Sequence, residues 1–155
     1  MMVKTFKFST LLCATVAGLS LARIAIAAPT ATLTVVVDGV RNHNSQICMR
    51  IFSSQRGFPF GTTSEVQSGC TQITGSSVKK EFSGLKPGTY AVAVVDDENG
   101  DHKLNRNLIG IPREGFGVSN NPTVSVKTGI PKFNEASFLL KQSSTIRISM
   151  KYSLD

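Results

Sequence analysis

Asp97, Asn99, Asp101 and Asn105 place acids and amides at alternate positions of one short segment. With the backbone carbonyl of Lys103 between them, their oxygens make a candidate calcium set. A hard cation takes about six to eight oxygen ligands from a turning loop. The run D-x-N-x-D-x-x-x-N opens as an EF-hand loop does and then departs from it. His102 stands where that loop needs glycine, and Leu108 where it needs a bidentate glutamate. Asp96, Glu98, Asn107 and Glu114 are further donors for a looser site. The same residue types have a second use. Asp and Asn bond their own backbone in Asx turns, and Asn99-Gly100 is a tight-turn pair. Both readings stand at this level. One histidine among carboxylates is a poor zinc set, and His43, in RNHNSQ, reads as a solvated loop residue.

A second group follows. Asn107, Pro112, Glu114, Phe116, Ser119 and Asn120, with Arg113, are candidates for a polar ligand-binding loop with an aromatic floor. Alternatively, Glu114 pairs with Arg113 or Arg106 while Phe116 anchors the loop to the core. Gly110, Gly115 and Gly117 permit close approach or positive φ. Asp96, Asp97 and Glu114 are the residue types of glycosidase-like acid–base work, and Ser119, His102 and Asp97 those of a triad. Neither has a spacing that signals catalysis, and no nucleophile elbow is present. The expectation is therefore a non-enzyme, with a hydrolase using the loop carboxylates as an alternative.

Period-two alternation dominates the rest. Segments 31–38, 46–53, 77–82, 123–127 and 144–152 alternate; 89–95 (TYAVAVV) is small and β-branched throughout, and 136–141 is a short apolar run. About seven short strands in a chain of this size predict an all-β, immunoglobulin-like or prealbumin-like antiparallel β-sandwich. The 89–95 segment suits a central strand covered on both faces. Two long connections remain, 54–69 and 96–122, and loops of that length are uncommon unless functional or disordered.

The first residues read as a signal peptide over 1–28. Lys4 and Lys7 precede an apolar run over 9–22, and small residues end at Ala28. The apolar run is shorter than the roughly 20 residues a membrane-spanning helix needs. Cys13 lies inside it and would be discarded. A single domain over 29–155 remains, periplasmic or secreted. Removing Lys4, Lys7 and Arg23 leaves 14 bases against 10 acids, a net charge of +4. Those bases are scattered, so no phosphate-tracking stripe forms and nucleic acid is excluded as a partner. Cys48 and Cys70 make an even pair in an oxidising compartment and predict a disulfide, with two buried free thiols as the competing reading; their spacing is not C-x-x-C, so a metal or redox pair is not expected.

Two stretches carry resemblances. Phe82-Ser-Gly-Leu85-Lys-Pro87-Gly88-Thr-Tyr90 resembles the F-x-x-L-x-P-G-x-Y corner of prealbumin-like and carboxypeptidase-regulatory-like sandwiches. The segment 97–120 resembles the block D-E-N-x-N-G-x-L-D-x-N-x-x-G-x-P-x-E-G-x-G-F-S-N. That block marks a group of exported bacterial proteins classed as a domain of unknown function. The flanking LKPGTYAVAV and P-x-F-x-x-A also match, so the resemblance covers nearly all of the mature chain. Asp101, His102, Asn105 and Val118 depart from the usual Asn, Gly, Asp and Phe. The resemblance implies export and a sandwich fold and lends no activity. The expected function is an exported binding or accessory module that uses 96–122 to recognise an envelope or extracellular protein or glycan. A calcium-stabilised envelope structural protein is the other reading.

Overall fold

The structure is a computed structural model that describes residues 28–41, 44–125 and 127–154. The signal-peptide segment with Cys13, and His43, lie outside the described residues. Among the described residues no helix is long and apolar enough to cross a membrane.

Alternation becomes two facing sheets. In β1 (Ala31–Asp38), every second residue from Ala31 to Val37 is buried. In β2 (Gln46–Phe52), Ile47, Met49 and Ile51 fill the same interior. The remaining strands are β3 (Glu65–Gln72), β4 (Ser77–Leu85), β5 (Gly88–Asp97), β6 (Phe116–Val118), β7 (Phe138–Leu140) and β8 (Ser144–Ser149). One sheet runs β4-β1-β8; the other runs β3-β2-β5-β6, with β7 on the first residues of β5. Leu33, Val35, Val37, Val92, Val94 and Ile148 meet between them. The all-β sandwich is as expected from the period-two segments. Among the described residues the strands number eight, against about seven expected, and β8 runs parallel to β1, so the pairing is not wholly antiparallel.

Several segments differ from expectation. Residues 65–72 form β3, although 65–69 are expected to end a long loop. Its sequence EVQSGCTQ has no apolar alternation because it is an edge strand with no fully buried residue. Residues 123–125 form no strand. The run 136–141 divides into the end of a single helical turn, α1 (Phe133–Ala136), and β7. The segment 96–122 is not one external loop. It begins inside β5, where Asp96 and Asp97 are buried, and it ends in β6 and the buried Ser119. Only 98–113 projects.

The corner at Pro87-Gly88 carries the chain from one sheet to the other, since β4 and β5 lie in different sheets. Phe82, Leu85 and Tyr90 are buried there, and the Tyr90 hydroxyl donates to the Lys86 carbonyl at 2.8 Å. The outer face of β5 is covered too. Phe52, Phe58, Ala91, Ala93, Val118 and Ala136 form a second apolar cluster with Phe133 packed on it, and Phe58 meets Phe52 and Phe133 edge-on. The small residues of β5 leave room for that cover.

At one edge the two sheets are tied together. Phe116 and Lys151 exchange backbone hydrogen bonds of 2.9 and 2.8 Å. The approach needs the alternate glycines. A Cβ on Gly115 would lie 2.4 Å from the Tyr152 ring, and one on Gly117 would lie 2.7 Å from Ile148 Cγ2 and 3.1 Å from the Ser149 carbonyl oxygen. Gly117→Ala is expected to destabilise the fold by about 1–3 kcal/mol through overpacking. A thermal melt reads this directly, and an unchanged melting temperature would show that the edge yields freely.

Candidate functional site

Two of three buried carboxylates, Asp97 and Glu114, hold the 98–113 projection to the sheet. Asp97 ends β5 on the outer face. Its Oδ1 accepts from the N–H groups of Gly100 (2.9 Å) and Asp101 (3.1 Å), and its Oδ2 from Gln46 Nε2 (2.9 Å) and the His102 N–H (3.2 Å). Four donors match the acceptor capacity of an ionised carboxylate. Glu114 closes the other side. Its Oε1 accepts from the Glu98 N–H (3.1 Å), and its Oε2 from the Asn105 N–H (2.8 Å) and Asn105 Nδ2 (3.2 Å). Asp96 faces the opposite way and accepts from the hydroxyls of Ser45 and Tyr152.

The outer residues continue the pattern. Asn99 Oδ1 accepts from the Asp101 N–H, Asp101 Oδ1 from the Lys103 N–H, and Asp101 Oδ2 from the side-chain amides of Asn99 and Asn105. Burial raises the Asp101 pKa, but the bonds from Lys103, Asn105 and Asn99 outweigh it and leave the carboxyl below its usual value. Thus the Asp97, Asn99 and Asp101 oxygens named as calcium ligands, and those of Glu114, accept N–H donors from their own loop. They form interlocked Asx turns.

Beyond them the chain makes a narrow hairpin. Arg106 bridges Pro112, and the Arg113 N–H donates to the Asn105 carbonyl at 2.8 Å. Asn107 Oδ1 accepts from the N–H groups of Ile109 and Ile111, locking the tip. Leu108 is entirely exposed and Ile109 is 79% exposed. A cavity of roughly 200 Å³ lies under the hairpin, lined by Phe60, Ile109, Ile111, Pro112, Phe116 and Val124. The Arg106 guanidinium lies 4.8 Å from the Phe60 ring centroid.

Of the residues proposed to line a polar pocket, Pro112 and Phe116 share the wall of this cavity and the others do not. Asn107 and Pro112 belong to the hairpin. Glu114 bonds backbone amides rather than Arg113 or Arg106, and Phe116 is an anchor in β6. Ser119 Oγ accepts from the Val92 N–H at 2.9 Å and donates to the Ala136 carbonyl at 2.6 Å, fully buried. Asn120 caps the carbonyls of Glu135 and Ser137. A Ser119–His102–Asp97 set is not assembled: Ser119 bonds Val92 and Ala136, whereas His102 Nδ1 lies beside sulfur.

The expected disulfide is present. Cys48 and Cys70 sit opposite each other on β2 and β3, with an S–S distance of 2.06 Å. Closing that loop contributes about 3 kcal/mol in the chain-entropy account. Sequence reasoning missed the residue above it. His102 Nδ1 lies 3.5 Å from Cys48 Sγ and 3.3 Å from Cys70 Sγ. The signal was a histidine at a turn position that favours glycine; its φ is 60°.

Residues 35–147 match the family described as "Uncharacterized protein conserved in bacteria" (DUF2141), and the chain belongs to it. No curated protein and no solved structure matches the chain.

The Tyr152 hydroxyl donates to Asp96 Oδ2 at 2.7 Å and accepts from the Arg41 N–H at 3.0 Å. Burial, with the Asp96 carboxylate second, pushes its pKa from 10.0 to about 12. The unfolded phenol therefore ionises first, and ionisation favours unfolding. Its stabilising contribution is complete below about pH 10 and fades as pH rises toward about 12. Chemical denaturation across that window should show a steep alkaline loss in the wild type and a shallower one in Tyr152→Phe. Parallel losses would remove Tyr152 as the cause.

Proposed function

We propose that the mature chain is an exported, non-enzymatic binding module that meets a protein partner through the tip of the 98–113 hairpin. The observation that carries this reading is the exposure of Leu108 and Ile109 on a backbone locked by Asn107. Exposed large apolar side chains mark interaction sites when they cluster. A pre-ordered turn also loses little freedom on binding. Arg106 and Arg113 flank the tip, so a partner with acidic groups around an apolar socket is complementary to it. The cavity beneath Ile109 and Pro112 gives such a partner depth to fill. A protein suits this surface better than a glycan, because of the two aromatic rings in the cavity wall Arg106 covers the face of Phe60 and Phe116 is buried.

The non-enzymatic part rests on where the acids are used. Asp96, Asp97 and Glu114 each accept bonds from their own chain, and Ser119 has no base beside it. The same saturation favours a loop that keeps its shape without calcium, over both the calcium-stabilised reading and the hydrolase reading. Export is supported by the N-terminal sequence and by a disulfide compatible with an oxidising compartment.

The test is capture from envelope extract by immobilised mature protein, wild type beside the Leu108→Asp, Ile109→Asp double variant. The wild type should retain a discrete acidic protein, and the variant should retain at least about tenfold less. Melting temperatures should agree, since neither side chain is buried. Equal capture by both, or binding only to anionic vesicles, would contradict the reading.

A further inference from the structure

The cluster at the disulfide lies outside the proposed contact surface and has a chemistry of its own. Cys48 Sγ, Cys70 Sγ and His102 Nδ1 all lie within 4.8 Å of one another on the outer face of the five-stranded sheet. Asp97 Oδ2 is 3.6 Å from both Cys48 Sγ and His102 Nδ1. His102 has a fixed backbone, although its side chain is 59% exposed. Its backbone N–H is held by Asp97 Oδ2 and its carbonyl by the Arg50 guanidinium, with φ at 60°. A non-glycine residue held in that region costs stability and calls for a reason in its side chain.

We propose that Cys48, Cys70 and His102 form a redox-gated site for a thiophilic divalent cation of the zinc type, for which the disulfide is the closed, cation-free state. The distances support it. Zinc bonds sulfur at about 2.3 Å and imidazole nitrogen at about 2.0–2.1 Å in tetrahedral sites, which sets nitrogen and sulfur about 3.6 Å apart and the two sulfurs about 3.8 Å apart. The nitrogen–sulfur separations of 3.5 and 3.3 Å are already near that value. Only the sulfurs must part, and side-chain rotation on two directly opposed residues supplies the movement. Asp97 Oδ2 is already occupied by Gln46 Nε2 and the His102 N–H, so a solvent water completes the fourth corner. Arg50, whose guanidinium holds the His102 carbonyl, and Lys80, whose ammonium donates to the Cys70 carbonyl at 3.2 Å, put positive charge beside the developing thiolates.

The chemistry balances in two steps. A dithiol reductant gives two electrons and two protons to the Cys48–Cys70 bond and leaves as its own disulfide. The cation then replaces the two thiol protons, which are released to solvent, and the neutral His102 nitrogen adds its lone pair. Cys70 is the more accessible sulfur and therefore the point of attack, since Cys48 is 6% exposed.

The experiment uses mature protein reduced with a dithiol, desalted without oxygen and titrated with cobalt(II), then with zinc. The expected result is a thiolate-to-cobalt charge-transfer band that saturates at one equivalent and is abolished by zinc. About two protons should be released per zinc ion bound. The oxidised chain should give no band. His102→Gly should weaken cobalt affinity by at least about tenfold and leave the oxidised chain's melting temperature unchanged or higher, because glycine relaxes the backbone. A reduced chain without the charge-transfer band overturns the proposal. So does wild-type affinity in His102→Gly, and so does loss of the sandwich on reduction that zinc fails to restore.

Discussion

A buried carboxylate must be matched by donors, and this structure meets that constraint by bending its own backbone around the acid. Asp97, Glu114 and Asp96 would each cost several kcal/mol if left ionised and unpaired inside the protein. Asp97 recruits the amides of Gly100, Asp101 and His102, and Glu114 those of Glu98 and Asn105. Bonds to a charged acceptor contribute about 1.5–3 kcal/mol each. Few backbone paths satisfy both acids at once, so the 98–105 turn is specified by two side chains at its ends.

That constraint organises what lies on either side. Toward the sheet it lays His102 over the Cys48–Cys70 bond. Away from the sheet it gives the hairpin a fixed base, and Asn107 repeats the device at the tip by accepting from Ile109 and Ile111. The exposed Leu108 and Ile109 are thereby displayed on a short, internally bonded structure instead of a loose connection. Behind Asp96, the Tyr152 hydroxyl and the Phe116–Lys151 backbone pair close one edge of the sandwich. Gly115 and Gly117 permit that closure because no side chain intervenes.

The fold was legible where burial follows a simple period. Leu33, Val35 and Val37, and likewise Ile47, Met49 and Ile51, announce their strands because one face of each meets the core. β3 was not legible, because an edge strand needs no apolar period. β6 was hidden because three residues, FGV, are too few to show one. The parallel pairing of β8 with β1 leaves no local mark, since it joins residues far apart in sequence. At the site, the alternation of Asp97, Asn99 and Asp101 predicted oxygen atoms facing a turn. It did not say whether a cation or backbone N–H groups face them, since both want the same oxygens. Burial of Ser119 and Glu114 was not visible either, because polar residues enter a core only when distant partners satisfy them. His102 could be read as odd within its turn, but its relation to Cys48 and Cys70 depends on strand register.

The most direct measurement of the central claim is residue-resolved amide hydrogen exchange on the mature, disulfide-bonded protein in the presence of a chelator. If the carboxylates fix the turn, the amides of Glu98, Gly100, Asp101, His102 and Asn105 exchange slowly, as those of the neighbouring sheet do, and added calcium changes nothing. If those amides exchange at free-peptide rates until calcium is supplied, the cation shapes the turn and the carboxylate account is wrong.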